Sequence, residues 1–104
     1  MWAVDYDTVV RLDAASLTVE DRWLGQAPAS NGHRMFLGDL WMSRDERELL
    51  AARPGAGDVV SLDPENLRVA RTWVTGGEPL TAAMLDGRLI VRDWKTGDLL
   101  TTAS

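Results

Sequence analysis

The chain has 104 residues, 45% of them hydrophobic and 26% charged, with a formal net charge of −5; this balance excludes a disordered polymer and allows one domain with a modest core. Lys95 is the one lysine among 11 cations, and acids and bases interleave, as at Arg44-Asp45-Glu46-Arg47-Glu48, so no basic face invites nucleic acid. There is no cysteine, hence no disulfide or thiolate metal site, and no window approaches the roughly 18 apolar residues of a membrane helix.

The acidic stretch Met1-Trp2-Ala3-Val4-Asp5-Tyr6-Asp7 lacks the apolar run of a secretory leader. The expectation is therefore a soluble, cytoplasmic protein with no membrane partner. Trp2 to Val4 and Thr8 to Asp13 read as a hairpin around Asp5-Tyr6-Asp7. A third strand runs to Trp23, where Leu17, Val19 and Trp23 alternate with Thr18, Glu20 and Arg22. Period 2 puts alternate side chains on opposite sides of a strand.

Residues 25–34 contain Gly, Pro, Ser and Asn-Gly without periodicity and read as a loop. Met35 to Met42 reads as a buried strand. Ser43 followed by Glu46 has a capping-box pattern that favours a helix over 43–53. The repeat described below instead demands a turn at Ser43–Arg47 and a strand at Leu49–Arg53, and that reading is preferred. Pro54-Gly55-Ala56-Gly57 is a turn into the strand Asp58–Asp63. Asp63 accepts turn N–H groups, Pro64 presets φ, and a further strand starts at Leu67. Gly76-Gly77-Glu78-Pro79 is another turn. Leu80–Leu85 and Arg88–Trp94 read as strands around the two-residue turn Asp86-Gly87. Leu99 to Thr102 is the last strand, which makes about ten strands.

Residues 9–24 align with 59–74 without a gap, with identities at Val9/Val59, Val10/Val60, Leu12/Leu62, Asp13/Asp63, Leu17/Leu67, Val19/Val69 and Trp23/Trp73. Leu89 to Leu100 reads as a looser third copy, with Asp93 at the turn and Gly97 supplying a residue that tolerates positive φ. Repeats of this size, with about four short strands each, mark β-propeller blades.

The run Val59-Val60-Ser61-Leu62-Asp63-Pro64-Glu65-Asn66-Leu67-Arg68-Val69, followed by Thr75-Gly76-Gly77-Glu78-Pro79, resembles the blades of YVTN-type propellers. Gly25-Gln26-Ala27-Pro28 is similar after the first copy, and Asp86 to Gly97 looks like the third-strand region of such a blade. The likeness extends to the wider superfamily with quinoprotein-like and WD-repeat propellers. The tryptophan of the WD type is absent, since those positions hold Leu12, Leu62 and Arg92. The resemblance implies an all-β fold of antiparallel blade-like sheets, a partial β-propeller; a small barrel or sandwich is the alternative. One domain, 1–104, would hold blade-like units at about 2–24, 35–75 and 80–102.

The sequence offers little chemistry. His33 is the only histidine and has no cysteine or second histidine to complete a zinc site. No phosphate loop, EF-hand or nucleophile elbow is present. Asp13, Asp63 and Asp93 recur at one turn position, so with Pro64 and Gly97 they are read as turn formers before any acid–base role. Trp23 and Trp73 are repeat-equivalent and read as packing residues. Trp2, Trp41 and Trp94, with His33, are candidates for a pocket or an interface. No catalytic residue, metal ligand or cofactor is assigned. The expected function is a non-catalytic binding module that pairs with itself or with another protein. The alternative is a fragment or subunit of a quinoprotein-like or lactonase-like propeller enzyme.

Overall fold

The computed structural model describes residues 1–25 and 36–103. His33 and the Gln26-Ala27-Pro28 part of the first glycine turn lie outside the described residues. Among the described residues, ten strands form three antiparallel sheets. Sheet 1 holds β1 (Trp2–Asp5), β2 (Thr8–Leu12) and β3 (Val19–Leu24). Sheet 2 holds β4 (Leu40–Met42), β5 (Leu49–Arg53), β6 (Asp58–Leu62) and β7 (Val69–Val74). Sheet 3 holds β8 (Pro79–Leu85), β9 (Arg88–Asp93) and β10 (Leu99–Ala103). Each sheet is a meander with its strands in chain order, because every connection within a sheet is a short turn that only antiparallel neighbours accept.

The 43–53 stretch is a turn followed by a strand, not a helix. Ser43 holds the turn: its hydroxyl accepts the N–H groups of Arg47 and Glu48 at 3.1 and 3.0 Å. The side chain that would cap a helix thus closes a hairpin instead, and Leu49, Leu50, Ala51 and Ala52 are all buried. A helix cannot bury four consecutive residues between two sheets; a strand with both faces covered does so. The strand expected over Met35–Met42 is shorter, with regular pairing only at Leu40–Met42. Before it, the Leu37, Gly38 and Asp39 N–H groups donate to the carbonyls of Tyr6, Ala52 and Leu80 respectively, at 2.7, 2.8 and 2.8 Å. Three consecutive amides thereby touch three different sheets.

Sheets 1 and 2 share one register. Val9 pairs with Trp23 as Val59 pairs with Trp73, and both hairpins carry a bulge, between Arg11/Leu12 and between Ser61/Leu62. Ala3 opposite Val10 matches Ala51 opposite Val60. Among the described residues, sheet 1 therefore lacks only the counterpart of β4.

Sheet 3 corrects the third copy read from the sequence. Met84 pairs with Leu89 and Ala82 with Val91, as Met42 pairs with Leu49 and Leu40 with Ala51. The β9–β10 pairing also runs without the bulge of the other two hairpins. So β8, β9 and β10 match β4, β5 and β6, and β9 is not the counterpart of β6. The burial confirms the assignment physically. Alignment on Asp93 would place Leu89 at the position of Val59, facing away from sheet 2. Instead Leu89 and Val91 are buried with Leu50, Ala52, Val59 and Ala82.

The sheets stack face to face in one direction. Val9, Trp23, Trp2 and Val4 of sheet 1 pack on Leu49, Ala51, Val60, Leu62 and Leu67 of sheet 2. Leu50, Val59 and Trp73 on the opposite side of sheet 2 pack on Ala82, Met84, Leu89 and Val91 of sheet 3. Sheets 1 and 2 thus each have a forward face, marked by Trp23 or Trp73, that covers the rear face of the next.

Candidate interaction surfaces

The turns come first, because they place the sheet ends. Three of them open on an aspartate and share one backbone geometry, which the Arg53–Gly57 turn repeats without the aspartate. The N–H groups of Leu17, Leu67 and Gly97 donate to the carbonyls of Asp13, Asp63 and Asp93 at 2.7, 2.7 and 2.9 Å. All three donors have positive φ, of 59°, 57° and 78°. The Asp13 carboxylate accepts the N–H groups of Ala15 and Ser16, both at 2.9 Å. Asp93 accepts those of Lys95 and Thr96 at 2.9 and 3.0 Å, and its other oxygen accepts the Glu78 N–H at 2.7 Å. Asp63 accepts the Glu65 N–H at 2.8 Å. The Glu78 N–H, then that of Thr96, hold the Asp93 carboxyl below its usual value of 3.8. The Ser16 and Ala15 N–H groups lower Asp13, and the Ser43 hydroxyl followed by the Arg47 N–H lowers Asp45. Asp13 is thus held by amides of its own turn, Asp93 by its turn and by the Glu78 amide before β8, and Asp45 by the Ser43 hydroxyl and the Arg47 amide.

Pro64 is buried, and its carbonyl accepts the indole N–H of Trp2 at 2.8 Å. Trp41 packs into the cluster between sheets 2 and 3. Trp94 is 50% exposed and meets Phe36 edge to face, with centroids 6.1 Å apart. The structure therefore does not gather Trp2, Trp41 and Trp94 into one site. Trp23 and Trp73 each carry an arginine over the ring, Arg53 at 6.0 Å and Arg71 at 4.3 Å. Arg53 also forks onto Asp58, with Nε to Oδ1 at 2.6 Å, and donates to the Gly25 carbonyl at 3.0 Å.

Among the described residues no group of three or more His, Asp or Glu is placed to hold a metal. Two shallow apolar grooves lie at the sheet boundaries. One, of about 350 Å³, runs beside the unpaired edge of β1 between Met1, Trp2, Leu40, Met42 and Leu49, with Glu46 at its rim. The other, of about 320 Å³, lies by Trp41 among Thr81, Ala83, Ile90, Arg92 and Leu99.

Among the described residues, no sheet packs on the two outer faces of the stack. Leu17 is 63% exposed, while its counterpart Leu67 is 2% exposed. Met1 is 48% exposed, and Leu49, which holds its position in sheet 2, is 1% exposed. On the forward side of sheet 3, Leu85 and Leu99 are 60% and 70% exposed. Sequence reading misses these residues, because Leu17 and Leu67 are the same residue in the same pattern. Only the neighbour that covers one and not the other separates them.

No family model matches the chain, and no curated protein matches it. Among solved structures it is similar to the β-propeller domain of Swd1 from Myceliophteria thermophila, with a TM-score of 0.68 at 18% identity. The fold is that of part of a β-propeller. The match covers 97% of this chain and 32% of the other, so the chain spans about a third of that structure's length. No helix among the described residues is long and apolar enough to cross a membrane.

Proposed function

We propose that this chain is a non-catalytic interaction module of β-propeller-like repeats, acting as a single domain and associating with itself. The observation that carries this reading is the contrast between Leu17 and Leu67. Leu67 is 2% exposed where sheet 1 packs over it, and Leu17, at the equivalent position, is 63% exposed. Exposed apolar faces of this kind mark association surfaces. The aspartates fit the same reading, since the Asp13 and Asp93 carboxylates accept backbone amides that shape the sheet ends. We assign Asp13, Asp63, Pro64, Asp93 and Gly97 to turn structure, and Trp2, Trp41 and Trp94 to packing at or near sheet boundaries. The Asp63-Pro64 turn and the Gly76-Gly77-Glu78-Pro79 run favour the YVTN-type subclass. A cysteine-free chain needs no oxidising compartment, which suits a cytoplasmic location.

A second reading is favoured by the length relation. A chain spanning 32% of a solved propeller suits a fragment or subunit of a larger quinoprotein-like or lactonase-like enzyme. Light scattering, metal analysis and a visible absorbance scan on the purified protein separate the two. A colourless, metal-free species heavier than the 11.5 kDa chain supports the module. A bound quinone chromophore or stoichiometric metal overturns it in favour of the enzyme.

A further inference from the structure

We propose that two copies of this chain close head to tail into one six-sheet ring, with the forward face of sheet 3 in each copy seated on the rear face of sheet 1 in the other. This rests on the self-association proposed above and specifies its geometry. Face-to-face packing of side chains occurs twice within the chain, sheet 1 on sheet 2 and, with β8 lying closest to β4, β5 and β6, sheet 2 on sheet 3. The fold therefore displays what covers a rear face: the forward face of a preceding sheet.

The rear face of sheet 1 has the residues such a contact needs. Leu12 and Leu17 stand where Leu62 and Leu67 are 0% and 2% exposed, and Ala3 stands where Ala51 is 0% exposed. On sheet 3, Ile90 holds the position of Leu50, by its pairing with Ala83 as Leu50 pairs with Trp41. Leu99 and Thr101 extend that face, being paired with Arg92 and Ile90. Arg88 and Arg92 alternate with Ile90 on the forward face, and the rear face of sheet 1 carries both Asp5, opposite Thr8, and Arg22, opposite Val10.

The geometry is heterologous, so it must either close or propagate. Propellers close with about four to eight blades. Three sheets among the described residues of each copy give six for two copies, inside that range.

Sedimentation equilibrium on wild type, Leu17→Asp, Leu99→Asp and an equimolar mixture of the two variants tests the proposal. Both changes suit the folded chain. Leu17 has a φ of 59°, a region aspartate tolerates better than leucine, and Leu99 is 70% exposed. Circular dichroism and thermal melting verify the fold of each. The expected result is twice 11.5 kDa for wild type, a single-chain mass for each variant, and a recovered two-chain species in the mixture. Recovery follows because sheet 3 of the Leu17 variant and sheet 1 of the Leu99 variant are both intact. A wild-type monomer overturns this inference and the self-association reading together. A wild-type oligomer that is larger than two chains, that only one substitution weakens, or that the mixture fails to restore overturns the head-to-tail ring and leaves self-association standing.

Discussion

The indole N–H of Trp2 donates to the backbone carbonyl of Pro64 at 2.8 Å, across 62 positions of sequence. The bond joins β1 to the turn between β6 and β7, and so fixes how far sheet 1 slides over sheet 2. Trp2→Phe retains most of the apolar contact and deletes the donor, leaving a partly buried carbonyl unpaired. The expected loss is about 1 kcal/mol, read as a fall in melting temperature of roughly 4–8 °C for a domain near this size. A melting temperature equal to wild type would remove this bond from the account of sheet stacking.

Gly38 sits where the chain passes between sheets 2 and 3. A Cβ at this position would lie 2.0 Å from the Leu80 carbonyl oxygen and 3.0 Å from the Ala52 Cβ. The first contact is with backbone, which cannot rotate away. Gly38→Ala is expected to cost about 1–3 kcal/mol by overpacking. Urea denaturation checks it, with a lower midpoint expected at an unchanged slope.

Burial separates two apolar residues of neighbouring strands in sheet 2. Leu62 is fully buried between sheets 1 and 2, whereas Val74 is 86% exposed. Leu62→Ala is expected to lose about 2–5 kcal/mol, and Val74→Ala to stay within about 0.5 kcal/mol. Paired urea melts give both values in one experiment.

Asp13, Asp45 and Asp93 have carboxyls held below 3.8 by hydrogen bonds to their ionised forms. A depressed folded-state value means that the unfolded chain takes up these protons first as pH falls. Their stabilisation is therefore complete above the unfolded value, and is lost as pH drops through the acid range below about pH 5. Melting temperature should fall on acidification across that window and level off above it. Asp93→Asn, which keeps the size and removes the charge, should flatten part of the slope. An unchanged slope would exclude Asp93 from the acid sensitivity.

Much of the fold was legible because β chemistry is local. Leu12-Asp13 and Leu62-Asp63 announce the same turn, and the period-2 pattern up to Trp23 and Trp73 sets the faces. The repeat also decided 43–53 correctly against the helix signal of Ser43 and Glu46. The third copy went wrong because Asp93 builds the same turn as Asp13 at a different place in its sheet. A five-residue turn reports its own hydrogen bonds, not which strands it joins, and only the burial of Leu89 and Val91 against sheet 2 shows the shift. The candidate surface was less legible still. Burial of Leu67 and exposure of Leu17 depend on neighbours far along the chain, and no local pattern encodes them.

The central claim is that the rear face of sheet 1 is covered by another sheet as the rear face of sheet 2 is. The chain has no cysteine, so a single thiol reports its own site. Leu17→Cys and, as an exposed control, Asn66→Cys should be labelled with a thiol reagent over a dilution series. The account predicts that Leu17→Cys is shielded in concentrated solution and becomes reactive on dilution, while Asn66→Cys reacts at one rate throughout. A Leu17→Cys rate as fast as the control at every concentration would contradict it.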